Sequence, residues 1–190
     1  MRKVVLYFNM TLDAVVSDVE KWSNITDELF TDSIERYGRN GTVIFGGNSY
    51  QSMAEYWLQA EISSENPLEK QLARLLNDKP KLIISRSDKD ITWRNASQLK
   101  ITDATSLAQK IKELKNTEGN DITVEAGIKT WQLFIEQDIF DEVEVMVHPV
   151  IYGDGRKLFT GNEPKINLEL VNASVMGHGI SKLHYKRKTN

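Results

Sequence analysis

Short runs of apolar and β-branched residues recur along the chain and predict the strands of a sheet. The first five cover residues 4–8, 42–45, 82–84, 122–124 and 143–151. Because these runs are almost continuously apolar, they are typical of strands buried on both faces of a parallel sheet. Two longer runs, 166–175 and 180–186, follow near the end of the chain and are joined at Met176-Gly177-His178-Gly179. This last pattern predicts an antiparallel hairpin.

Helical patterns, with apolar residues three and four positions apart, separate the predicted strands. They cover residues 25–37, 67–76, 105–114 and 129–135. Asn24 or Thr26 would cap the first helix, and Pro67 suits the first turn of the second. The alternation predicts an α/β fold, with a mostly parallel central sheet flanked by helices and a C-terminal antiparallel hairpin. With 190 residues, no repeat and no linker, the chain is expected to form one domain over residues 1–190.

Composition narrows the classes of function. The 24 basic and 27 acidic side chains give a formal charge of −3, which argues against a nucleic-acid partner. The absence of cysteine excludes disulfides, thiolate metal sites and cysteine nucleophiles, and the three histidines are too scattered to form a metal site. The apolar run at the start is too short for a signal peptide, and no run approaches the roughly 20 apolar residues of a membrane helix. We therefore expect a cytoplasmic protein with no membrane partner.

Glycines follow two of the predicted strands at the point where a helix begins. The first junction is Gly46-Gly47-Asn48-Ser49, and the second is Ala126-Gly127-Ile128-Lys129-Thr130. Ligands of open α/β sheets bind at the carboxyl ends of strands, where helix N-termini offer unpaired N–H groups and a partial positive charge. Each junction is therefore a candidate anion site, although a glycine after a strand is more often only a turn residue.

The order of these motifs resembles the dihydrofolate reductase-like superfamily, and within it the reductase domain of riboflavin biosynthesis. The resemblance spans essentially the whole chain and rests on Thr11-Leu12-Asp13-Ala14, Gly46-Gly47-Asn48-Ser49-Tyr50, Ser85-Arg86-Ser87, Ala126-Gly127-Ile128-Lys129-Thr130-Trp131 and a late signature of Asp141-Glu142, Pro149-Val150, Gly153-Asp154-Gly155 and Leu158-Phe159. It implies hydride transfer from NADPH to a small heterocyclic substrate. The substrate would be a pyrimidine of the 5-amino-6-(5-phosphoribosylamino)uracil type, or a ring like dihydrofolate or a pterin.

The resemblance also implies which residues bind the cofactor. Phosphate contacts are expected at Gly46, Gly47, Asn48 and Ser49, pyrophosphate contacts at Ala126, Gly127, Ile128, Lys129 and Thr130, nicotinamide-side contacts at Val16 and Ser17, and adenosine 2′-phosphate contacts at Ser85, Arg86 and Ser87. Arg86 would favour NADPH, because a guanidinium can donate paired hydrogen bonds to a phosphate. A homodimer is implied as well, with the two terminal strands as a candidate interface.

Two carboxylates are candidates for both catalysis and substrate binding. Asp13 ends the first strand, and Asp27, five residues after Trp22, resembles the substrate-binding carboxylate of dihydrofolate reductase. Each has a structural alternative, Asp13 as a turn residue and Asp27 as an acid in the first turn of a helix. Asn9 and Trp57 are further substrate-binding candidates, the first as a hydrogen-bonding group and the second as a stacking surface. Either could equally be a packed residue without chemistry.

Three departures from the family pattern keep a second class of function open. Gly47 stands where the family usually has arginine, and Ala14 and Ala126 each replace a glycine. The missing arginine removes one charge contact to the cofactor. The alternative is a non-catalytic NADP(H)-binding or sensor protein that kept the fold. The discriminating feature is an open pocket, flanked by carboxylates, at the nicotinamide end of the cofactor site.

Overall fold

An eight-stranded sheet forms the centre of the molecule. The computed structural model describes residues 1–188. The strands are β1 (Val4–Thr11), β2 (Thr42–Gly46), β3 (Lys81–Ser85), β4 (Ala96–Lys100), β5 (Ile122–Ala126), β6 (Glu142–His148), β7 (Leu168–Val175) and β8 (Ser181–Arg187). Their order across the sheet is β4-β3-β2-β5-β1-β6-β8-β7, and the first six strands are parallel to one another. β8 runs antiparallel to both β6 and β7.

Six helices connect the strands and cover both faces of the sheet. They are α1 (Val19–Trp22), α2 (Asp27–Arg39), α3 (Tyr50–Ser63), α4 (Pro67–Asp78), α5 (Ala104–Lys115) and α6 (Ile128–Glu136). The predicted α/β fold, with its mostly parallel sheet and antiparallel terminal hairpin, is confirmed. The last two residues of the predicted domain, 189 and 190, lie outside the described part of the chain.

Alternation along the buried strands gives each face of the sheet its own core. On one face, Leu6 and Phe8 of β1 share a cluster with Leu107 of α5 and with Trp131 and Phe134 of α6. On the other face, a second cluster joins β2 and β3 to helices α2, α3 and α4 through Val43, Phe45, Ile83, Tyr37, Ala54, Leu72 and Leu76. Because all parallel strands end at the same edge of the sheet, the loops after β1, β2, β3 and β5 meet there.

Side-chain caps mark the start of three helices and are missing at the other three, α1, α3 and α6. Thr26, rather than Asn24, caps α2 by accepting a hydrogen bond from the N–H of Leu29, and Asn66 caps α4 by accepting one from Leu68. Asp103 begins α5 with a capping box. No side-chain cap is present at Ser49 before α3 or at Gly127 before α6. The starts of α3 and α6 both lie at the edge of the sheet where the strand carboxyl ends meet.

The structure also contains a strand that the hydrophobic pattern did not predict. β4 pairs with β3 in parallel and carries the sequence Ala-Ser-Gln-Leu-Lys, whose side chains are half-buried or exposed. An edge strand of this kind lacks the apolar run by which buried strands are recognised. The prediction for the fifth strand was too long, because β6 ends at His148, just before Pro149, which has no N–H to donate to a sheet.

Candidate functional site

A cavity of about 1320 Å³ opens at the carboxyl ends of the parallel strands. This volume exceeds the roughly 300–1,000 Å³ typical of sites for one small ligand, so the cavity has room for more than one small molecule. The lining residues form two groups, which we name by their position. The loop compartment consists of residues 16–18, 46–49, 85–87, 126–130 and 156. The helix compartment consists of side chains from β1, α2, α3, β5 and β6, namely Tyr7, Asn9, Leu29, Phe30, Ser33, Arg36, Tyr37, Met53, Trp57, Glu125 and His148, together with Ser23 and Ile25 from the loop before α2.

In the loop compartment, the junction between β2 and α3 requires glycine at two successive positions. A Cβ at Gly46 would lie closer to Oγ1 of Thr130 than van der Waals contact allows. A Cβ at Gly47 would lie 2.9 Å from Cβ of Ser85. The glycines therefore bring the loops after β2, β3 and β5 into direct contact. The N-terminus of α3, without a side-chain cap or an acidic residue in its first turn, faces this junction. Such a helix start favours an anion.

The junction between β5 and α6 has the same character. Gly127 has φ 108° and ψ 101°, a conformation that side chains disfavour, and a Cβ there would lie 2.9 Å from Oγ1 of Thr130. The indole N–H of Trp131 donates to the carbonyl of Val124 at 3.0 Å and fixes α6 against β5. The first turn of α6 contains no acid, and Lys129 is exposed within it. Two helix N-termini thus border the same compartment.

The loop after β3 supplies an unpaired cation. The buried hydroxyl of Ser85 donates to the carbonyl of Ser87 at 2.8 Å, which holds the loop in a tight turn. Arg86 at the tip of this turn is exposed, lines the cavity and forms no salt bridge within residues 1–188. A guanidinium in this position can bind a phosphate.

Val16 and Ser17, in the loop after β1, are buried and line the same compartment. The hydroxyl of Ser17 donates to Asp18 and accepts from the N–H of Arg156 at 2.9 Å, and the indole of Trp22 donates to the carbonyl of Ser17 at 2.7 Å. Ala14, which replaces the glycine of the family motif, has φ 64°, in the left-handed region that favours glycine. Hydrogen bonds from Trp22 on one side and from Arg156 on the other therefore hold the loop after β1 in place.

Of the four predicted substrate-binding residues, the structure brings Asn9 and Trp57 into the cavity. Oδ1 of Asn9 lies 3.0 Å from Nε2 of His148, whose side chain is buried. Trp57 is half-buried on α3, and its indole N–H has no partner among the described residues. Phe30 and Met53 join Trp57 as partly buried members of the same hydrophobic cluster.

Asp13 and Asp27 do not line the cavity, which corrects our expectation that these carboxylates act there. The carboxylate of Asp13 accepts hydrogen bonds from Thr11 Oγ1 at 2.7 Å and from the N–H groups of Tyr152 and Gly153 at 3.1 Å each. These hydrogen bonds, of which the one from Thr11 has the largest effect, lower the pKa of Asp13 to about 2. Asp27 is exposed in the first turn of α2 and accepts a hydrogen bond from Asn66 at 2.7 Å. Asp13 is therefore a turn residue and Asp27 an acid in the first turn of a helix, which are the structural alternatives stated above.

A buried ion pair between Arg36 and Glu125 forms the polar floor of the helix compartment, and our reading of the sequence missed it. The two side chains are 3% and 5% exposed and are joined by a hydrogen bond from Nη1 to Oε1. The guanidinium lies 3.5 Å from the ring centroid of Tyr7 and 4.4 Å from that of Tyr37. Burial, the largest single effect, disfavours the charge of Arg36, but the Glu125 carboxylate together with Tyr37, Tyr7 and Glu144 more than offsets it, so the pKa of Arg36 is raised. The available signal was a single acid within the apolar strand Ile-Thr-Val-Glu-Ala.

Within residues 1–188, no cluster of three or more His, Asp or Glu side chains is arranged to hold a metal ion. The same part of the chain contains no helix long and apolar enough to cross a bilayer.

Comparison with known proteins shows which family the whole chain resembles. The model of the RibD C-terminal domain matches residues 2–182. Two uncharacterized proteins of Bacillus subtilis (strain 168) are similar over nearly the full length. YyaP is 27% identical over 189 residues, 97% of this chain and 94% of that protein, and YwjB is 26% identical over 195 residues, 98% of each.

Solved structures share the fold at low sequence identity. A protein assigned to riboflavin biosynthesis from Shewanella sp. PV-4 has a TM-score of 0.68 at 17% identity, with 98% of this chain and 99% of that chain covered. RibD of Acinetobacter baumannii has a TM-score of 0.66 at 16% identity. There the match covers 99% of this chain but only 58% of the longer protein. A deaminase/reductase from Thermotoga maritima, named for 5-amino-6-(5-phosphoribosylamino)uracil reduction, has a TM-score of 0.66 at 17% identity, with 98% and 57% covered.

Proposed function

The chain belongs to the RibD C-terminal domain family, and from this premise we propose that it is an NADPH-dependent reductase that transfers a hydride to a small nitrogen heterocycle. The observation that carries the proposal is the convergence of two uncapped, acid-free helix N-termini and the unpaired Arg86 on one compartment of the cavity. A pyrophosphate and a 2′-phosphate are the anionic groups of NADPH that such an arrangement suits.

Each part of the loop compartment has a proposed task. The backbone N–H groups at the starts of α3 and α6 would bind the phosphates, with Lys129 adding a positive charge. Arg86, with Ser85 and Ser87, would bind the adenosine 2′-phosphate. Val16 and Ser17 would border the nicotinamide. Gly47 offers no side-chain contact where the family usually has arginine, so the preference for NADPH over NADH would depend mainly on Arg86.

In the helix compartment, the protein's task is positioning and exclusion of water. NADPH supplies the hydride when it is bound, and the enzyme needs chiefly to align an acceptor ring with it. Phe30, Met53 and Trp57 form an apolar wall that excludes water and can stack on a flat ring. Asn9 and Glu125 provide hydrogen-bonding groups at the ring's edge. Because Asp13 and Asp27 lie elsewhere, we propose that a water molecule at the polar edge of the ring, away from the apolar wall, supplies the proton.

The test of this proposal is calorimetric titration of the protein with NADPH and, separately, with NADH. We expect NADPH to bind more tightly than NADH. Arg86→Ala should weaken NADPH binding by about 10- to 100-fold, the equivalent of a hydrogen bond to a charged group, and leave NADH binding unchanged. Arg39→Ala, which removes an exposed arginine outside the cavity, is the control. Equal affinities for the two nucleotides, or no binding of either, would refute the proposal.

A non-catalytic NADP(H)-binding protein is the second candidate. Two observations favour it: Gly47 replaces the family's arginine, and the one carboxylate lining the helix compartment, Glu125, is already paired with Arg36. Both candidates predict NADPH binding, so turnover separates them. Oxidation of NADPH at 340 nm upon addition of an aminopyrimidine, a pterin or dihydrofolate supports the reductase. Tight NADPH binding without oxidation by any of these rings favours the sensor.

A further inference from the structure

The helix compartment contains buried polar atoms that the protein itself leaves unpaired. Within residues 1–188, seven buried side-chain N or O atoms lack a hydrogen-bond partner, and four of them belong to residues that line the cavity. These four are Oγ of Ser23, Nε of Arg36, Nε1 of Trp57 and Nδ1 of His148. Buried polar groups in native proteins are almost always hydrogen-bonded, so this concentration points to partners supplied by a ligand.

The chemistry of these groups defines the edge of the ligand. Nε of Arg36 and Nε1 of Trp57 can only donate, which calls for carbonyl oxygens or ring nitrogens. Glu125 lies beside Arg36 and can only accept when ionised, which calls for an N–H group. Alternating carbonyl and N–H groups on a flat ring meet both requirements. The apolar side chains of Phe30, Met53 and Trp57 suit the faces of such a ring.

No cation is left in the helix compartment to bind a phosphate. Four arginine or lysine residues line the cavity. Arg86 and Lys129 belong to the loop compartment, as does Arg156, whose neighbours Lys157 and Leu158 accept hydrogen bonds from Gln132 of α6. Arg36 is engaged by Glu125 and buried between two tyrosines. Glu20, which also lines the cavity, adds a negative charge on the side of α1.

We infer that the helix compartment binds an uncharged, flat nitrogen heterocycle with an amide-like edge, and that a phosphate on the substrate adds nothing to recognition. This inference rests on the proposed function, because it assigns the loop compartment to the cofactor. It separates the chain from an enzyme that recognises a phosphoribosyl group. The Arg36–Glu125 pair forms hydrogen bonds with the edge of the ring, and Trp57 contributes one hydrogen-bond donor and a stacking face.

A matched pair of probes tests the inference. NADPH-saturated protein is titrated calorimetrically with 5-amino-6-(ribosylamino)uracil and with the same compound carrying a 5-phosphate. We expect the phosphate-free probe to bind at least as tightly as the phosphorylated one. Binding of the phosphorylated probe ten-fold or more tightly would overturn the inference. So would the failure of both probes to bind to protein that binds NADPH.

Two variants test the residues that carry the inference. Glu125→Gln should weaken binding of the phosphate-free probe about 10- to 100-fold, because the ring loses a hydrogen bond to a charged group, while NADPH affinity stays unchanged. Since Glu125→Gln leaves Arg36 buried without its counter-charge and can unfold the protein, Trp57→Phe is the second variant. It keeps the ring and removes the donor, and we expect several-fold weaker probe binding with unchanged NADPH affinity. Glu35→Gln, an exposed position on α2, is the control.

The two proposals fail in different ways. If the phosphate-free probe binds but NADPH does not, the cofactor assignment falls and the ring assignment stands. If neither folded Glu125→Gln nor Trp57→Phe weakens binding of the probe, the assignment of the helix compartment to the ring is wrong. The assignment of the loop compartment to the cofactor then still stands.

Discussion

At the end of β6, the imidazole of His148 is 1% exposed and in contact with the ring of Trp22, their centroids 5.2 Å apart. Burial lowers the pKa of His148 below its ordinary value of 6.5, so the side chain is neutral at pH 7. The tautomer with the proton on Nε2 donates to Oδ1 of Asn9, 3.0 Å away, and fixes the orientation of the Asn9 amide. His148 is therefore a positioning residue for Asn9.

This buried histidine predicts a pH dependence of stability. Between the lowered pKa of the folded state and 6.5, the unfolded chain binds a proton that the folded protein does not, so stability decreases as the pH falls below 6.5. The slope from one such group is at most about 1.4 kcal/mol per pH unit. We expect His148→Gln, which cannot titrate, to lose less stability than the wild type between pH 7 and 5.5 in urea unfolding. The exposed His178→Asn is the control, and equal pH slopes for wild type and His148→Gln would contradict this account.

The residue scale is also where prediction from the sequence was weakest. Asp13 is a candidate by its residue type and position, and Asp27 by its resemblance to the carboxylate of dihydrofolate reductase, but their contacts with Tyr152, Gly153 and Asn66 depend on the three-dimensional fold. The Arg36–Glu125 pair joins residues 89 positions apart, and neither belongs to a local motif. The sequence shows which chemistry a side chain can perform. Whether another residue already pairs with that side chain depends on long-range packing.

At the scale of the elements, the glycine junctions were correctly located, because strand, glycine and helix are adjacent along the chain. The uncapped start of α6 follows from the sequence, since Gly127 has no side chain to cap the helix, whereas Ser49 carries a hydroxyl and still forms no cap for α3. The edge strand β4 was missed because two of its five residues are exposed, the other three are only half-buried, and its hydrophobic pattern is weak. Local patterns therefore predict buried strands and helix starts well, and edge strands poorly.

The contact between the loop after β2 and α6 gives a prediction at this scale. Gly46→Ala should destabilise the fold by about 1–3 kcal/mol, because the new methyl overlaps Oγ1 of Thr130. Gly38→Ala is the matched control: its Cβ meets nothing within 4 Å, and alanine in α2 should stabilise by about 0.5–1 kcal/mol. Urea unfolding measures both. Adding Thr130→Ala to Gly46→Ala should restore part of the loss, and no loss in Gly46→Ala itself would show that the loops are not in close contact.

At the scale of the whole molecule, β7 forms an edge of the sheet with every residue exposed. Leu170, Val171 and Val175 are at least half exposed on it. A long apolar edge strand is prone to pair with another chain, so we expect the homodimer implied by the sequence resemblance to form here.

Light scattering on the purified protein tests this expectation. We predict the mass of two chains for the wild type and of one chain for Leu170→Lys. Ile62→Lys, at an equally apolar exposed position on α3, should remain dimeric. A wild-type protein with the mass of a single chain would contradict the proposal that β7 forms a homodimer interface.

The claim on which the account depends is that the glycine junctions receive a dinucleotide. Amide resonances in a ¹⁵N-labelled sample, followed as NADPH is added, test it directly. We predict shifts concentrated at Gly46, Gly47, Gly127 and Lys129, with Gly38 and Gly161, both outside the cavity, unchanged. Saturable shifts at the junctions would support a cofactor site built from two helix N-termini. Unchanged junction amides at saturating NADPH, or shifts only elsewhere, would contradict it.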